Sequence, residues 1–266
     1  MNADNSLNCA LPDVQSSADG RHIPIQRVGV KSVRVPVVVA SVDGPLHTVA
    51  TVNMYVSLPA GQKGTHMSRF FRLLDEPREP LCKPVLEDLM ARMLKTLDAV
   101  SGQIEFDFPF FVRKSAPISK QSSLMSYEAG FTVTCENGET TVRERVLTPV
   151  TSLCPCSKEI AHNQRSHITI DALCSEALPF EELIRYSEKN GSCELWSLLK
   201  REDEKFVTEY AYDHAKFVED IIRDVATDLN KDARIVSYEL QVENFESIHN
   251  HSAYALITHD RRTSAV

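Results

Sequence analysis

The order of its predicted secondary structure constrains this chain more than any other feature of its sequence. The first half runs from strands to a helix and back to strands, and the second half repeats that order. Apolar, often alternating residues mark the strands, which are 33–42, 47–58, 104–114, 127–137, 139–150, 166–173, 233–245 and 253–259. The predicted helices are 84–100, 179–189, 194–200 and 214–229. The repetition predicts two like-built modules that share a sheet.

Short turns determine how these strands pair. Gly44-Pro45 separates the first two strands, and Asn137-Gly138 is a strong sign of a two-residue hairpin. Antiparallel strands can be joined by such turns, whereas parallel strands need long crossovers. We therefore predict an α+β fold with antiparallel sheets and helices packed on one face. The expected division is a flexible arm at 1–24, a first module at 25–150 that includes a loop at 59–70, and a second module at 151–266.

Size, charge and cysteine content exclude several classes of protein. The chain has 266 residues, of which 42% are hydrophobic and 25% charged, so it predicts a soluble globular protein. It has no apolar run of membrane-span length and no secretory signal pattern, which predicts a cytoplasmic location without a membrane partner. A net charge of −8 argues against nucleic-acid binding. Seven scattered cysteines predict thiols or metal ligands rather than a disulfide framework.

Residues 153–167, LCPCSKEIAHNQRSH, combine two cysteines and two histidines within one short segment. Thiolate and imidazole groups bind divalent ions of borderline softness, so Cys154 or Cys156 with His162 or His167 could supply two ligands of an open catalytic site. The plain alternative is that the two cysteines are ordinary buried thiols at the start of a loop.

A second group of the same chemistry lies near the C-terminus, in NFESIHNHSAYA at 244–255. Glu246, His249 and His251 lie at a predicted strand end, where alternate side chains point to the same face. His249 and His251 could therefore face one cleft, with one binding a metal and the other moving protons. The alternative is a solvated loop between two strands.

Charged residues elsewhere carry weaker information. Glu204 lies in the charged segment REDEKFVTE at 201–209, and Glu219 lies on a predicted helix; charged faces of helices are usually just solvated. The common phosphate-binding glycine loops are missing from the sequence, so any nucleotide must be held by side chains. The basic candidates for that role, each of which could equally be an ordinary surface charge, are Lys63, His66, Arg69, Lys158 and Arg165.

Six segments, in order, closely resemble the type IB GTP cyclohydrolases, the prokaryotic folate-pathway family. They are KGTHMSRF, TSLCPCSKEI, AHNQRSH, DEKFVTE, FVED and ESIHNHSAYA, within a match from about residue 25 to the C-terminus. The resemblance implies two fused tunnelling-fold modules that assemble as a homotetramer, with sites near subunit boundaries. It also implies hydrolysis of GTP to formate and 7,8-dihydroneopterin triphosphate, with Zn, Mn or Fe(II) as the divalent cofactor.

The resemblance assigns roles residue by residue. The implied metal ligands are Cys154, His162, Glu204 and His249. The residues implied around the reacting carbon are Cys156, Glu246 and His251. Glu219 resembles the carboxylate that holds guanine, and the other implied substrate-binding residues are His66, Ser68, Arg69, Lys158 and Arg165. The family has a few more residues, including a glycine, where KEI here runs directly into AHNQR, so His167 stays an alternative to His162.

Other functions remain open from the sequence. Within enzymes, the alternative is another tunnelling-fold catalyst, such as a queuosine-pathway nitrile reductase or a pterin synthase, and dependence on NADPH would distinguish the reductase. From a different class, the chain could be a non-catalytic module that binds a metal or a purine. The combination of Glu204, Cys156 and His251 argues against a mere binder, which would not need proton-transfer groups around a metal.

Overall fold

The computed structural model describes residues 13–75, 79–157 and 162–263. Its strands are β1 (Ile25–Val39), β2 (Leu46–Leu58), β3 (Gly102–Ser115), β4 (Ser122–Glu136), β5 (Glu139–Leu153), β6 (Asn163–Cys174), β7 (Ile235–Phe245) and β8 (Ser252–Asp260). Its α-helices are α1 (Met67–Asp75), α2 (Lys83–Leu97), α3 (Phe180–Glu188), α4 (Arg201–Asp213) and α5 (Val218–Lys231). The eight strands form one sheet in chain order, and each neighbouring pair is antiparallel. The predicted α+β class is confirmed.

The hairpin between β4 and β5 follows the sequence prediction. Asn137 and Gly138 have φ values of 52° and 80°, in the left-handed region that Asn and Gly tolerate best. The residues on either side, Glu136 and Glu139, pair across the two strands. This two-residue turn sets the register of β4 and β5, the two middle strands of the sheet.

The helix predictions fail in two places: the predicted loop contains the start of a helix, α1, and the structure has α4 at Arg201–Asp213 where a helix was predicted only at 194–200. The loop expected over 59–70 ends at α1, which begins at Met67 and buries Phe70, Leu73 and Leu74 at helical spacing. The segment 194–200 is not helical, because the Asp203 carboxylate accepts a 2.8 Å hydrogen bond from the backbone N–H of Lys200 and caps the helix there. Helix α4 therefore begins at Arg201.

One face of the sheet supplies the apolar core. Along β6 the even-numbered residues are buried and the odd-numbered ones are more exposed, as a strand covered on one side requires. Helices from both halves of the chain pack on this face within one continuous cluster of buried apolar residues. Phe180 of α3 contacts the Phe131 and Phe110 rings of the first half, with centroids 5.1 and 5.3 Å apart. The two halves thus share one core.

The expected module boundary between residues 150 and 151 lies within β5, which continues to Leu153. Half of the flexible arm expected at 1–24 lies outside the described residues, which begin at Asp13; in the described half the backbone N–H of Asp19 donates to the carbonyl of Gly61 at 3.0 Å. The division into 25–150 and 151–266 stays a prediction. Within the part of the chain that the structure describes, no helix has the length and apolar character needed to cross a membrane.

Candidate active site

Antiparallel pairing brings the two predicted motifs to the same end of the sheet. Leu153, at the end of β5, pairs with Asn163 at the start of β6. Ser166 of β6 in turn pairs with Asn244, close to the end of β7. The connection after β5 and the connection after β7 therefore emerge side by side, although more than 80 residues separate them in the chain.

The two cysteines of the first motif lie directly after β5. Cys154 is half-buried, whereas Cys156 is exposed within a single turn of 3₁₀-helix, Pro155–Ser157. Burial raises the pKa of the Cys154 thiol. A backbone N–H of Cys156 opposes that shift, whereas the Cys156 thiol and the Glu246 carboxylate raise the pKa further. The Cys154 thiol is therefore within electrostatic range of the Glu246 carboxylate of the other motif.

A chain of polar contacts continues from Glu246 to His162. Gln164 Nε2 donates to Glu246 Oε1 at 3.3 Å, and Gln164 Oε1 lies 3.2 Å from His162 Nδ1. Ser247 Oγ is 3.4 Å from the same ring nitrogen. The structure thus links His162 and Glu246, both of which the sequence indicated, through Gln164, which it did not.

Strand alternation separates the two histidines that the sequence left as alternatives. His162 precedes β6 by one residue and contacts Gln164, whose side chain is on the buried face. His167 is on the opposite face, where its ring packs edge-on against Phe245 with centroids 4.7 Å apart. Burial lowers the pKa of His167, against an opposing effect of Glu243. His162 is therefore the histidine that lies beside Glu246.

The second predicted histidine pair lies in the exposed connection between β7 and β8. The His249 and His251 rings stack with centroids 5.2 Å apart and an angle of 14° between their planes. Both side chains are exposed, so their nitrogens are accessible to a ligand. The two rings lie together in a connection between strands and not on a strand end, so strand alternation does not set their facing.

Glu219 lies near the cysteine motif. It is exposed in the first turn of α5, and three residues earlier the backbone N–H of Lys216 donates to the carbonyl of Leu153 at 3.0 Å. That hydrogen bond holds the start of α5 against the end of β5, next to Cys154.

Glu204 is held on a different segment. It is exposed in the first turn of α4, where the neighbouring Asp203 accepts hydrogen bonds from the backbone N–H groups of Ile118 and Ser119, each at 2.8 Å. These bonds attach the start of α4 to the turn between β3 and β4. That turn is at the same end of the sheet as Cys154.

Most of the predicted phosphate-binding residues lie far from this end. His66, Ser68 and Arg69 are at the start of α1, which follows β2 at the opposite end of the sheet. His66 Nε2 is 3.2 Å from a carboxylate oxygen of Asp13, and the Arg69 guanidinium donates to the carbonyl of Thr96 at 3.1 Å. A single chain does not bring these residues to Cys154.

The remaining basic candidates are also dispersed. Lys63 is in the loop that precedes α1, where its backbone N–H donates to Ser17. Arg165 is exposed on the face of β6 opposite to Gln164. Lys158 lies outside the described residues, as does the junction between Ile160 and Ala161 that is short relative to the family.

The donor chemistry around Gln164 fits a divalent metal ion. A thiol, an imidazole and a carboxylate together suit ions from Zn to Fe(II) and Mn. Among residues 13–75, 79–157 and 162–263, however, no three His, Cys, Asp or Glu side chains already converge closely enough to hold an ion. The predicted set of Cys154, His162, Glu204 and His249 is not assembled in this part of one chain, and it stays a prediction.

Comparison with solved structures supports the fold. A uricase from Arthrobacter globiformis superposes with a TM-score of 0.54 over 91% of this chain and 95% of that protein. Only 10% of the aligned residues are identical. The likeness therefore concerns the fold alone, and it agrees with the predicted tunnelling-fold architecture.

Comparison of sequences is much more specific. A GTP cyclohydrolase FolE2 of Ralstonia nicotianae is 59% identical over 256 residues, which cover 95% of this chain and 96% of that protein. The GTP cyclohydrolase FolE2 of Herminiimonas arsenicoxydans is 58% identical over 259 residues, with coverage of 96% and 99%. The family model of type I GTP cyclohydrolase folE2 matches residues 11–255. The chain therefore belongs to the type I GTP cyclohydrolase folE2 family.

Proposed function

We propose that this chain hydrolyses the imidazole ring of GTP at a site around Cys154, His162 and Glu246. Family membership confirms the predicted GTP cyclohydrolase activity, and it favours that activity over the nitrile reductase and over a non-catalytic binding module. The products are formate and 7,8-dihydroneopterin triphosphate. The observation that carries the location is the pair of contacts by which Gln164 links Glu246 to His162, at the end of the sheet where Cys154 follows β5.

The proposed site uses a divalent ion. The residues proposed to hold it are Cys154, His162, Glu204 and His249. When bound, such an ion lowers the pKa of water enough to provide a nucleophile at neutral pH. The thiol and imidazole favour Zn or Fe(II), and the carboxylate also suits Mn, so the donor set does not select one ion.

Other residues of the site handle protons and the base. Opening of the ring needs a proton at the departing nitrogen, and the exposed imidazole of His251 can deliver it. Glu246 and Cys156 lie close enough to Cys154 to take part in the later proton transfers. Glu219 can accept hydrogen bonds from both the ring N–H and the exocyclic amine of guanine, which only a carboxylate in that position would do.

We also propose that the site is completed by assembly of four copies. Three of the proposed phosphate-binding residues, His66, Ser68 and Arg69, lie at the opposite end of the sheet from Cys154, so another copy must supply such groups. β1 and β8 each have one neighbour in the sheet, and unpaired edge groups of this kind can continue a sheet into another copy. Exposed Tyr254 and Leu256 on β8 add apolar surface to that edge.

The direct experiment is to incubate metal-loaded protein with GTP and to measure two products. We expect formate and a pterin that becomes fluorescent after oxidation, in equal amounts, and we expect chelation of the metal to abolish both. Size-exclusion chromatography with light scattering tests the tetramer. Consumption of NADPH without release of formate would instead indicate a reductase.

A further inference from the structure

Gln164 connects two residues of the proposed site, although neither its motif nor the comparisons assign it a role. It is the second residue of β6, and its side chain is only 7% exposed. Its amide reaches the imidazole of His162 on one side and the carboxylate of Glu246 on the other, at 3.2 and 3.3 Å. One buried amide therefore spans the two connections that form the site.

Amide chemistry determines which atoms donate in these contacts. A carboxylate only accepts hydrogen bonds, so the group that faces Glu246 must be the NH₂ of Gln164. The amide oxygen then faces His162, and because that oxygen only accepts, the nearby Nδ1 of His162 must carry the proton. A neutral imidazole has one protonated nitrogen, which leaves the lone pair on Nε2.

We propose that Gln164 is a positioning residue that sets the tautomer of His162, with Nε2 as its metal-binding atom, and anchors the carboxylate of Glu246. This inference rests on the proposed function of the site. Histidines that bind metals usually donate their second N–H to an outer partner, and the loss of that partner lowers metal affinity or activity by about 10- to 100-fold. Gln164 differs from a simple outer partner because the same amide also anchors a second functional group.

Ser247 is the competing partner of His162. Its hydroxyl is 3.4 Å from Nδ1, farther than the amide oxygen, and it is on the exposed connection between β7 and β8. A hydroxyl can donate or accept, so it does not select a tautomer. We therefore expect Ser247→Ala to leave the tautomer of His162 and the metal affinity nearly unchanged.

Gln241 provides a matched control for a purely structural role. It is a half-buried glutamine on β7 that donates to Glu239 at 2.6 Å. The residue paired with it on the neighbouring strand β6 is Thr169, which is not part of the site. Gln241→Met removes a glutamine–glutamate hydrogen bond from the same sheet without touching the site. Any effect common to Gln164→Met and Gln241→Met reflects stability alone.

The first test uses the full chain with ¹⁵N-labelled histidine, in the metal-free state. The His162 resonances, assigned by their loss in His162→Gln, should show a protonated Nδ1 in the unmodified protein and a mixture of tautomers in Gln164→Met. Competition with a chelator should show about 10- to 100-fold weaker Zn binding in Gln164→Met, with a melting temperature equal to that of Gln241→Met. An unchanged tautomer together with unchanged Zn affinity would overturn the proposal.

Gln164→Glu tests the contact with His162 and the contact with Glu246 separately. It is also the variant to use if Gln164→Met does not fold. The new carboxylate can still accept from His162 Nδ1, but it repels Glu246 instead of donating to it. We expect Zn affinity to stay within about threefold and kcat to fall by about tenfold or more, at unchanged KM for GTP. Normal kcat in this variant would refute the anchoring of Glu246.

If the unmodified protein released no formate from GTP, the proposed function would fail, while the tautomer and Zn measurements would still decide the role of Gln164.

Discussion

Two polar clusters of this protein, the candidate site and the group around Lys114, have opposite characters. Lys114 is 9% exposed, and its ammonium donates to Glu188 at 2.7 Å and to the carbonyl of Leu195 at 2.8 Å. The hydroxyl of Tyr127 donates to the same Glu188 oxygen at 2.6 Å. In the candidate site the side-chain contacts are 3.2 to 3.4 Å long, and several groups are exposed.

The difference shows how the same residue types serve different purposes. Around Lys114, burial and the neighbouring Glu188 raise the pKa of Tyr127, so its hydroxyl keeps its proton and acts only as a donor. Charges buried in a well-paired network stabilise one structure, and removing one partner is costly. The candidate site instead keeps a thiol, an imidazole and a carboxylate accessible, which is what a ligand needs. We therefore expect changes in the first cluster to affect stability and changes in the second to affect activity.

The largest effect should come from Cys154. Cys154→Ala removes the thiol of the proposed metal set, so formate release should fall by about 10³-fold or more, equivalent to about 4 kcal/mol of transition-state stabilisation. The melting temperature should change little, because Cys154 is only half-buried. Elemental analysis, formate release and thermal unfolding measure the three quantities. Cys82→Ala, just before α2, is the control, and a metal-loaded, fully active Cys154→Ala would remove Cys154 from the site.

The reverse behaviour is expected for Lys114. Lys114→Met leaves the carboxylate of Glu188 buried without its cation, which should lower the free energy of unfolding by about 3–5 kcal/mol. Urea denaturation measures this loss, and activity per folded molecule should be retained. The control Lys205→Met breaks an exposed 3.7 Å pair with Glu209 and should cost less than about 1 kcal/mol. If Lys114→Met were as stable as the control, the Lys114 cluster would not be a stabilising network.

Glu144 sharpens the comparison because it is a core carboxylate whose hydrogen bonding is incomplete. It is 8% exposed, and within the described residues its Oε2 has no hydrogen-bond partner. Burial raises its pKa to about 7, against the opposing effects of the Leu178 backbone N–H and of Lys83. The folded state thus binds this proton more tightly than the unfolded state does, so stability falls as the pH rises from about 4.5 to 7 and stays lower above that range.

Glu144→Gln should remove this pH dependence. At pH 8 the variant should be more stable by up to about 3 kcal/mol, and near pH 4 the two proteins should be similar. Thermal or urea unfolding across this pH range provides the measurement. A parallel pH dependence in both proteins would show that Glu144 is ionised and well stabilised in the fold.

The smallest of these effects is expected for Glu219. Glu219→Ala removes a charged acceptor from the start of α5, so the dissociation constant for GTP should rise by about 10- to 100-fold, as for the loss of charge-assisted hydrogen bonds. Metal content and the melting temperature should not change. Glu202→Ala, which removes an exposed carboxylate from the first turn of α4, is the control. Equal GTP affinity in the two variants would exclude the guanine role of Glu219.

Local sequence was enough to predict much of the fold and the residue types of the site. Alternation and turn residues located the eight strands to within a few residues at most ends, and Asn137-Gly138 identified the central hairpin. These features depend on neighbours in the chain, so a short window contains the information. The prediction failed at α1 because that helix has only nine residues. It failed at 194–200 because the hydrogen bond from the Lys200 N–H to the Asp203 carboxylate sets the start of the helix after that segment.

The sequence by itself determined the family, the order of the elements, and the supply of thiol, imidazole and carboxylate groups. Only the tertiary structure decided that β5, β6 and β7 pair so that the segments of Cys154, His162 and Glu246 lie at one end of the sheet, and that Gln164 links His162 to Glu246. It also decided that His167 faces away from that group. The physical reason is that strand register and side-chain facing depend on contacts between distant segments, and a shift of one residue would exchange the faces of Gln164 and His167.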